Sequence, residues 1–111
     1  MFLEPEDPGV DEEAVGSAVA NPCDRQILAL AQRGPVAAKT ILERTSIPKS
    51  TLYRRIDRLQ EQGLLEVVSS TIEDGHRIDR YRCPLQGIGI RIEDGEIHLE
   101  WSARRPQAED A

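Results

Sequence analysis

The segment from Pro22 to Arg33 carries apolar residues at helical spacing. They lie on one side of a 3.6-residue period and are Ile27, Leu28, Leu30 and Ala31. Asn21 is the expected N-cap residue, and Pro22 follows it at the first helical position, where proline is favoured. Gly34 and Pro35 then stop the pattern. The pattern predicts a helix over Pro22 to Arg33.

Two further helices are predicted before residue 64. The first runs from Val36 to Arg44, and the polar pair Thr45-Ser46 ends it. The second begins with Pro48 in its first turn, spans about residues 48–62 and is closed by Gly63. Its apolar residues recur at spacings of four and three: Leu52, Ile56 and Leu59.

The second half of the chain has the alternation of strands. Leu64 to Ser70 and Ile78 to Cys83 flank a polar segment that contains the turn pair Asp74-Gly75, which predicts a hairpin. A second hairpin follows, with Glu93-Asp94-Gly95 at its turn. Its alternating apolar residues are Ile88, Ile90, Ile92, Ile97, Leu99 and Trp101.

The chain length of 111 residues fits one domain. We assign residues 1–20 to an acidic, flexible tail, in which a short helix near Asp11 to Ala20 is an option. Residues 21–102 form the domain with its C-terminal hairpin, and residues 103–111 are expected to fray. No run of residues is apolar enough for a membrane span, and the acidic start differs from a secretory signal, so a cytoplasmic protein is expected.

Charge is distributed unevenly along the chain. The net charge is −6, which by itself argues against a nucleic-acid partner. Residues 1–20, however, carry six acids and no base, whereas residues 21–65 carry eight bases and four acids, a net +4. Residues 66–111 carry six bases and ten acids, a net −4. The positive charge is therefore concentrated where the three helices are predicted.

The order of the elements predicts an α+β winged helix-turn-helix fold with an extra C-terminal β-hairpin. Two helices joined by the tight turn Thr45 to Ile47 form the helix-turn-helix, and the hairpin after them is the wing. The stretch from Ala38 to Leu65, AKTILERTSIPKSTLYRRIDRLQEQGLL, closely resembles the helix-turn-helix of winged-helix regulators of the ArsR and MarR type, small archaeal regulators among them. A recognition helix that ends in a leucine, a few polar residues and Gly-Leu, as Leu59 to Leu64 do here, is characteristic of these families.

The resemblance implies a dimer on promoter DNA, with the third predicted helix in a major groove and the wing on the flanking backbone. On a helical projection, Leu52, Ile56 and Leu59 point inward, and the opposite face is polar and basic toward its N-terminus. Arg54 is the candidate for reading guanine, because its planar fork matches N7 and O6. Residues suited to thymine methyl or phosphate contacts are Ser50, Thr51 and Tyr53, and those suited to phosphates are Lys49, Arg55 and Arg58.

The wing adds one candidate, Arg77, for contact with the DNA backbone. Glu73 and Asp74 at the wing tip argue against deep insertion into a groove. The plainer interpretation of all these side chains is a solvated helix face, as most runs of charge are. Against it stands the basic, short-polar character of the exposed face at residues 49–55.

Other chemistry has little support in the sequence. Cys23, Cys83, His76 and His98 lie on separate predicted elements without zinc spacing, and the Cys-x-Cys pair of arsenic-responsive regulators is absent from the sequence. The sequence contains no Gly-rich phosphate loop, nucleophile elbow or H-E-x-x-H motif, so we predict no enzyme and no cofactor.

The predicted function is sequence-specific binding of double-stranded DNA as a transcriptional regulator. A homodimer is expected because one such module contacts few base pairs. The sequence identifies no small-molecule effector. Two alternatives remain open: a winged-helix protein-protein adaptor, which the net acidity favours, and a thiol or metal sensor built on Cys23 and Cys83.

Overall fold

The computed structural model describes residues 12–103 of the chain. These residues contain four helices: α1 (Glu12–Ala20), α2 (Pro22–Gln32), α3 (Ala38–Arg44) and α4 (Lys49–Glu61). Five strands form two antiparallel sheets: β1 (Val36–Ala37), β2 (Glu66–Glu73), β3 (His76–Arg82), β4 (Leu85–Glu93) and β5 (Glu96–Ala103). This is the predicted α+β winged helix-turn-helix with an additional C-terminal hairpin, and the fold class is confirmed.

Helix α1 departs from the expected flexible tail. Residues 12–20 take the helical option, and Ala14, Val15 and Ala18 are buried in the common core. These small apolar side chains recur on one helix face, but they are too few to predict a stable helix without its partners. Packing against α2 and β5 supplies the missing burial. Residues 1–11 and 104–111, to which the rest of the tail and the fraying C-terminus were assigned, lie outside the described residues.

Helix α2 begins and ends as its sequence predicts. The Asn21 side chain accepts a hydrogen bond from the Asp24 backbone N–H at 3.0 Å, and Pro22 occupies the first turn. Gly34 then adopts a φ of 153°, in the region that favours glycine. The buried side of the helix carries Ile27, Leu28 and Ala31 into the core.

Helix α3 begins two residues later than predicted. Val36 and Ala37 form strand β1, which pairs with β3 through Val36↔Tyr81 and Ala37↔Arg80. The helical pattern of Ala38, Ile41 and Leu42 could not reveal this pairing, because its partner lies more than 40 residues away. At the other end, the Thr45 hydroxyl donates to the Ile41 carbonyl at 2.8 Å, and so closes the helix at the turn.

Helix α4 ends at a glycine-dependent stop. Gly63 has a φ of 79°, and the backbone N–H groups of Leu64 and Leu65 both donate to the Leu59 carbonyl. This arrangement satisfies the Leu59 carbonyl, which the helix end would otherwise leave unpaired. The chain then enters β2 with Leu64 and Leu65 buried.

The wing is a long hairpin with a two-residue turn. Asp74 and Gly75 have φ values of 52° and 78°, as a type I′ turn requires, and the ladder runs out to the pair Glu73↔His76. The segment predicted as a polar turn, residues 71–77, is therefore mostly strand. With β1 the wing forms a three-stranded sheet of order β1-β3-β2.

The C-terminal hairpin forms a sheet of its own and does not extend the wing sheet. It turns at Asp94-Gly95, again with positive φ at both residues. The hairpin attaches to the helices at its base, where Leu85 is buried and the Gln32 side chain donates to the Leu85 carbonyl at 3.1 Å. Trp101, only 3% exposed, completes the core on this side.

Candidate nucleic-acid interface

Helix α4 separates its residues sharply into a buried and an exposed side. Leu52, Ile56 and Leu59 are buried, as the helical projection predicts. Of the predicted site residues on this helix, Thr51 and Arg55 are only partly exposed, and the exposed ones are Lys49, Ser50, Tyr53, Arg54 and Arg58. The fold thus holds five of the predicted side chains on one accessible helix surface.

The N-terminal end of α4 is electropositive. Pro48 is the N-cap residue and makes no side-chain cap, and the first turn contains Lys49 and no acid. The uncapped backbone N–H groups and the positive end of the helix dipole therefore act together with the lysine charge. Such an end suits a phosphate group.

The C-terminal half of the same face is acidic. Asp57 and Glu61 are exposed on the polar side of α4, one and two turns beyond Arg54. On this side of α4, positive charge therefore lies mainly in the first two turns, and Arg58 adds one charge on the flank of the last turn. A duplex would be attracted to that end of the helix and repelled at the other.

Arg55 does not face solvent with its neighbours, and this corrects the prediction that it contacts phosphates. Its Nε donates to Asp24 Oδ1 at 2.8 Å, and its Nη2 donates to Asp24 Oδ2. Asp24 lies on α2 and is 1% exposed, and the Arg55 side chain is 19% exposed. The hydrogen bond with Asp24 raises the pKa of the Arg55 guanidinium. Because this bidentate pair joins α2 to α4, Arg55 positions α4 against α2 instead.

Arg58 lies on the flank of α4 that faces α1. It is exposed and borders a shallow cleft together with Glu13, Ala14, Ser17 and Gln62. A phosphate that approaches Arg58 therefore also approaches the Glu13 carboxylate, which lowers the local positive potential. Arg58 thus lies at the edge of the candidate interface, whereas Arg54 lies in the middle of the exposed face of α4.

A cleft of about 260 Å³ separates α4 from the wing. Tyr53 from α4, Lys39 from the start of α3 and Arg77 from β3 all line it. Tyr81 lies in the same cleft, where burial, and then the nearby charges of Asp79 and Asp57, raise the pKa of its hydroxyl. The structure thus brings Tyr53 and Arg77, predicted separately, to one groove.

The sequence reasoning missed Lys39. This lysine is exposed in the first turn of α3, beside the cleft that contains Tyr53 and Arg77. The available signal was a base at the N-terminus of the first helix of the helix-turn-helix, an end that crosses the DNA backbone in this motif.

The arginines of the wing are paired with the wing's own acids. Arg77 is 69% exposed, and its Nε donates to Asp79 Oδ1 at 2.9 Å. Arg80 bonds Glu73 Oε2 at 3.0 Å, and its Nη1 donates to the Thr71 hydroxyl at 3.0 Å. A phosphate must therefore compete with a carboxylate for each of these two guanidinium groups.

These contacts within the wing also lower the pKa values of the two acids, Glu73 and Asp79. The hydrogen bonds from Arg80 and then Thr71 hold the pKa of Glu73 below its usual value. The hydrogen bond from Ser70, followed by that from Arg77, lowers the pKa of Asp79. The wing's own side chains thus stabilise the charged form of both carboxylates.

The sulfur and imidazole groups form no metal site in the described part of the chain. Between residues 12 and 103, no group of three or more His, Cys, Asp or Glu is arranged to hold a metal ion. Cys23 is half-buried and Cys83 is buried, with its Sγ 3.7 Å from the Leu85 carbonyl oxygen.

No helix in this part of the chain is both long and apolar enough to cross a membrane.

Comparison with known proteins supports the helix-turn-helix assignment. Residues 25–68 match a family model described as a helix-turn-helix domain. The match begins in α2, includes α3 and α4, and ends at the start of β2. No curated protein matches the chain significantly. The matched region contains the electropositive end of α4 and Lys39, and it stops before the cleft-facing strand β3.

Proposed function

We propose that this protein binds double-stranded DNA sequence-specifically as a homodimeric transcriptional regulator, with α4 in the major groove. One observation carries the proposal: a helix-turn-helix match over residues 25–68 coincides with a solvent-facing, basic N-terminal half of α4. A helix in this motif reads bases with its first turns. The residues exposed there are the types that contact bases and phosphates.

The proposed roles follow from position on α4. Arg54, in the middle of the exposed face, reads guanine through its two parallel donors. Ser50, Thr51 and Tyr53 contact thymine methyl groups or phosphates, and Lys49 and Arg58 hold the helix on the backbone. Lys39 joins this set, and Arg77 reaches the backbone from the wing after it exchanges Asp79 for a phosphate.

Regulation is proposed to be steric. One module of this kind contacts only a few base pairs, so two copies related by a two-fold axis double the recognised site. A dimer seated on a promoter would block the transcription machinery or recruit it. A palindromic consensus among duplexes selected from a random pool would support both the DNA partner and the symmetry.

The decisive test removes charge from the exposed face. The double variant Arg54→Ala with Arg58→Ala should bind duplex DNA more weakly and show a shallower dependence of log affinity on log salt. The slope should flatten by about 0.9 for each phosphate contact that is lost. Arg33→Ala is the matched control, because Arg33 is exposed at the end of α2 and outside the proposed interface. Equal slopes for all three proteins would refute the proposal.

A protein-protein adaptor is the second candidate. The net charge of −6 and the paired wing arginines favour it, since both reduce attraction to phosphates. An adaptor would leave duplex affinity low for the unmodified chain as well as the variants. The same salt series therefore separates the two functions.

A further inference from the structure

A cavity of about 250 Å³ lies between α1, α2 and the base of the C-terminal hairpin. Its walls come from the last turn of α1, one side of α2 and the segment from Cys83 to Ile88. It is separate from the cleft beside α4, and none of the predicted site residues lines it. Helix α1 and the hairpin lie outside the region that matches the helix-turn-helix family model, so the matched region does not form this cavity by itself.

The interior of the cavity is aliphatic. Leu28 and Leu85 are buried core residues that line it, and Ala18 and Ile88 lie beside them. None of the described residues of its lining is aromatic. Protein interiors are close-packed, and aliphatic walls around a space of this size gain dispersion contacts when an apolar group enters it. These walls therefore suit a flexible hydrocarbon chain better than an aromatic ring, which favours other rings as neighbours.

Arg25 is the one charged residue among the described residues that line the cavity. Arg25 and Ala29 are also the exposed residues of this lining, so they mark its mouth. The Arg25 Nη1 donates to the Val19 carbonyl at 2.6 Å, and this bond holds the guanidinium beside the aliphatic walls. Within residues 12–103 no carboxylate forms an ion pair with Arg25, whereas the arginines of β3 and β4 all have carboxylate partners. The charge of Arg25 is therefore available to an anion.

The volume and the donors define the size and the polar end of a ligand. A water molecule occupies about 30 Å³ in the liquid, so the cavity has room for about eight non-hydrogen atoms. The Gln32 side chain donates to the carbonyls of Leu85 and Gln86 at 3.1 and 3.4 Å, and so belongs to the attachment of the hairpin. Because Arg25 Nη1 is bonded to Val19, its Nε and Nη2 form the edge that can hold both oxygens of a carboxylate.

We propose that this cavity binds a medium-chain aliphatic carboxylate. The hydrocarbon chain lies between Leu28, Leu85 and Ile88, and the carboxylate accepts two hydrogen bonds from Arg25. A neutral chain would not use the charge at the mouth, and a small inorganic anion would not contact the aliphatic walls. The two halves of the site together therefore indicate an amphiphilic anion. This proposal does not rest on the proposed function, because no residue of α4 lines the cavity.

Two segments outside the described residues are the competing occupants. Residues 104–111 start beside the cavity, because Ala103 pairs with Leu85 in the hairpin. They contain two acids that could reach Arg25, but no valine, leucine, isoleucine, methionine or aromatic residue that would fill the aliphatic space. Residues 1–11 contain larger apolar residues, but they join α1 at its N-terminal end, whereas the cavity lies at its last turn. A separate small molecule therefore fits the site better than either segment.

The test is a titration of the full chain with octanoate, followed by the shifts of backbone amide signals in NMR spectra. Binding should be saturable, with the largest shifts at residues that line the cavity. Arg25→Gln should raise the dissociation constant for octanoate about ten-fold, because a charged hydrogen-bond partner is lost. Arg33→Gln is the matched control, because Arg33 is exposed at the C-cap of the same helix and lies outside the cavity. It should bind octanoate as the unmodified chain does.

Octanol separates the charge of Arg25 from any effect of this residue on the fold. It shares the hydrocarbon chain and lacks the carboxylate, so Arg25→Gln should leave its affinity unchanged. Equal losses of affinity for the two ligands, or an unchanged affinity for octanoate, would overturn the proposal. Shifts centred away from the cavity, or no saturable binding, would overturn it as well.

Deletions of residues 1–11 and of residues 104–111 test the competing occupants. Under the proposal, each shortened chain binds octanoate like the full chain. If only a shortened chain binds it, the deleted segment occupies the cavity and the proposal fails. Duplex DNA takes no part in these measurements, so their failure leaves the proposed function standing, and a failed salt series with a duplex leaves the cavity proposal standing.

Discussion

Arg54 and Arg55 are neighbours in the chain and have opposite surroundings. The rotation of about 100° per residue along a helix turns Arg54 to solvent and Arg55 toward α2. There Arg55 neutralises Asp24, which is almost fully buried. A buried carboxylate without its partner is expensive, because the interior cannot solvate the charge. Substitution of Arg55 should therefore affect the stability of the fold much more than substitution of Arg54.

Removal of Arg55 should destabilise the fold. Arg55→Ala leaves Asp24 buried and unpaired, and we expect the free energy of unfolding to fall by about 3 kcal/mol. Arg54→Ala should change it by less than about 0.5 kcal/mol, as surface substitutions usually do. Urea denaturation of the two variants measures the difference. Equal stabilities would mean that the Arg55–Asp24 pair contributes nothing to the fold.

Acid should weaken the wing in a defined pH range. The pKa values of Glu73 and Asp79 are lowered in the folded state by hydrogen bonds from Arg80 and Ser70. Their stabilising effect is thus complete above the ordinary pKa values of these acids and is lost as the pH falls through the lowered folded-state values. NMR titration of the carboxyl carbons checks this. Arg80→Ala should move the pKa of Glu73 upward and leave Asp79 nearly unchanged.

At the scale of elements, the beginning and the end of α4 have different structures, and each has its own consequence. Its beginning is uncapped and electropositive, which suits an anion, and its end is closed by Gly63 in a left-handed conformation. The same residue directs Leu64 and Leu65 into the core. The stop therefore sets the direction in which the chain leaves α4 and enters the wing.

Two glycine substitutions should have opposite effects. Gly63→Ala forces a side chain into the left-handed region and should cost about 1–2 kcal/mol of stability. Gly16→Ala, within α1, adds a Cβ at ordinary contact distance from Leu99 and should be neutral or stabilising by up to about 1 kcal/mol. Thermal unfolding of both variants makes the comparison. A destabilised Gly16→Ala would show that α1 and the hairpin are packed more tightly than this contact indicates.

At the scale of the whole molecule, the C-terminal hairpin and α1 complete a core that the three helices of the helix-turn-helix and the wing leave open. Trp101 and Leu85 from the hairpin join Val15 from α1 in one buried cluster with the other helices. A two-stranded sheet is marginal by itself in water. Its stability here must come from this shared burial, so the hairpin and the helices should unfold together.

The single tryptophan can report this coupling. Trp101 is the only tryptophan of the chain, and it is buried at the base of the hairpin. Its fluorescence transition in urea should coincide with the loss of helical circular dichroism, as in a two-state domain. A fluorescence change at clearly lower urea would show that the hairpin detaches first.

Local patterns in the sequence were sufficient for most of the elements. Helical spacing, the Asn21 cap, Gly63 and the two Asp-Gly turns act within a few residues, so they could be read without a structure. They predicted α2, α4, both hairpins and the exposed face of α4. The exposure of Ser50 and Arg54 also follows from the helical period alone.

The tertiary structure decided which charged residues are paired and which apolar residues are buried. Asp24 and Arg55 are 31 positions apart, and Val36 pairs with Tyr81 across a still longer separation. Helix α1 gains its burial only by packing against α2 and the C-terminal hairpin. The sequence by itself thus determined the elements and their amphipathic faces, because these depend on neighbours along the chain. Only folding determined which charges neutralise each other and which apolar residues remain exposed, because both depend on contacts between distant segments.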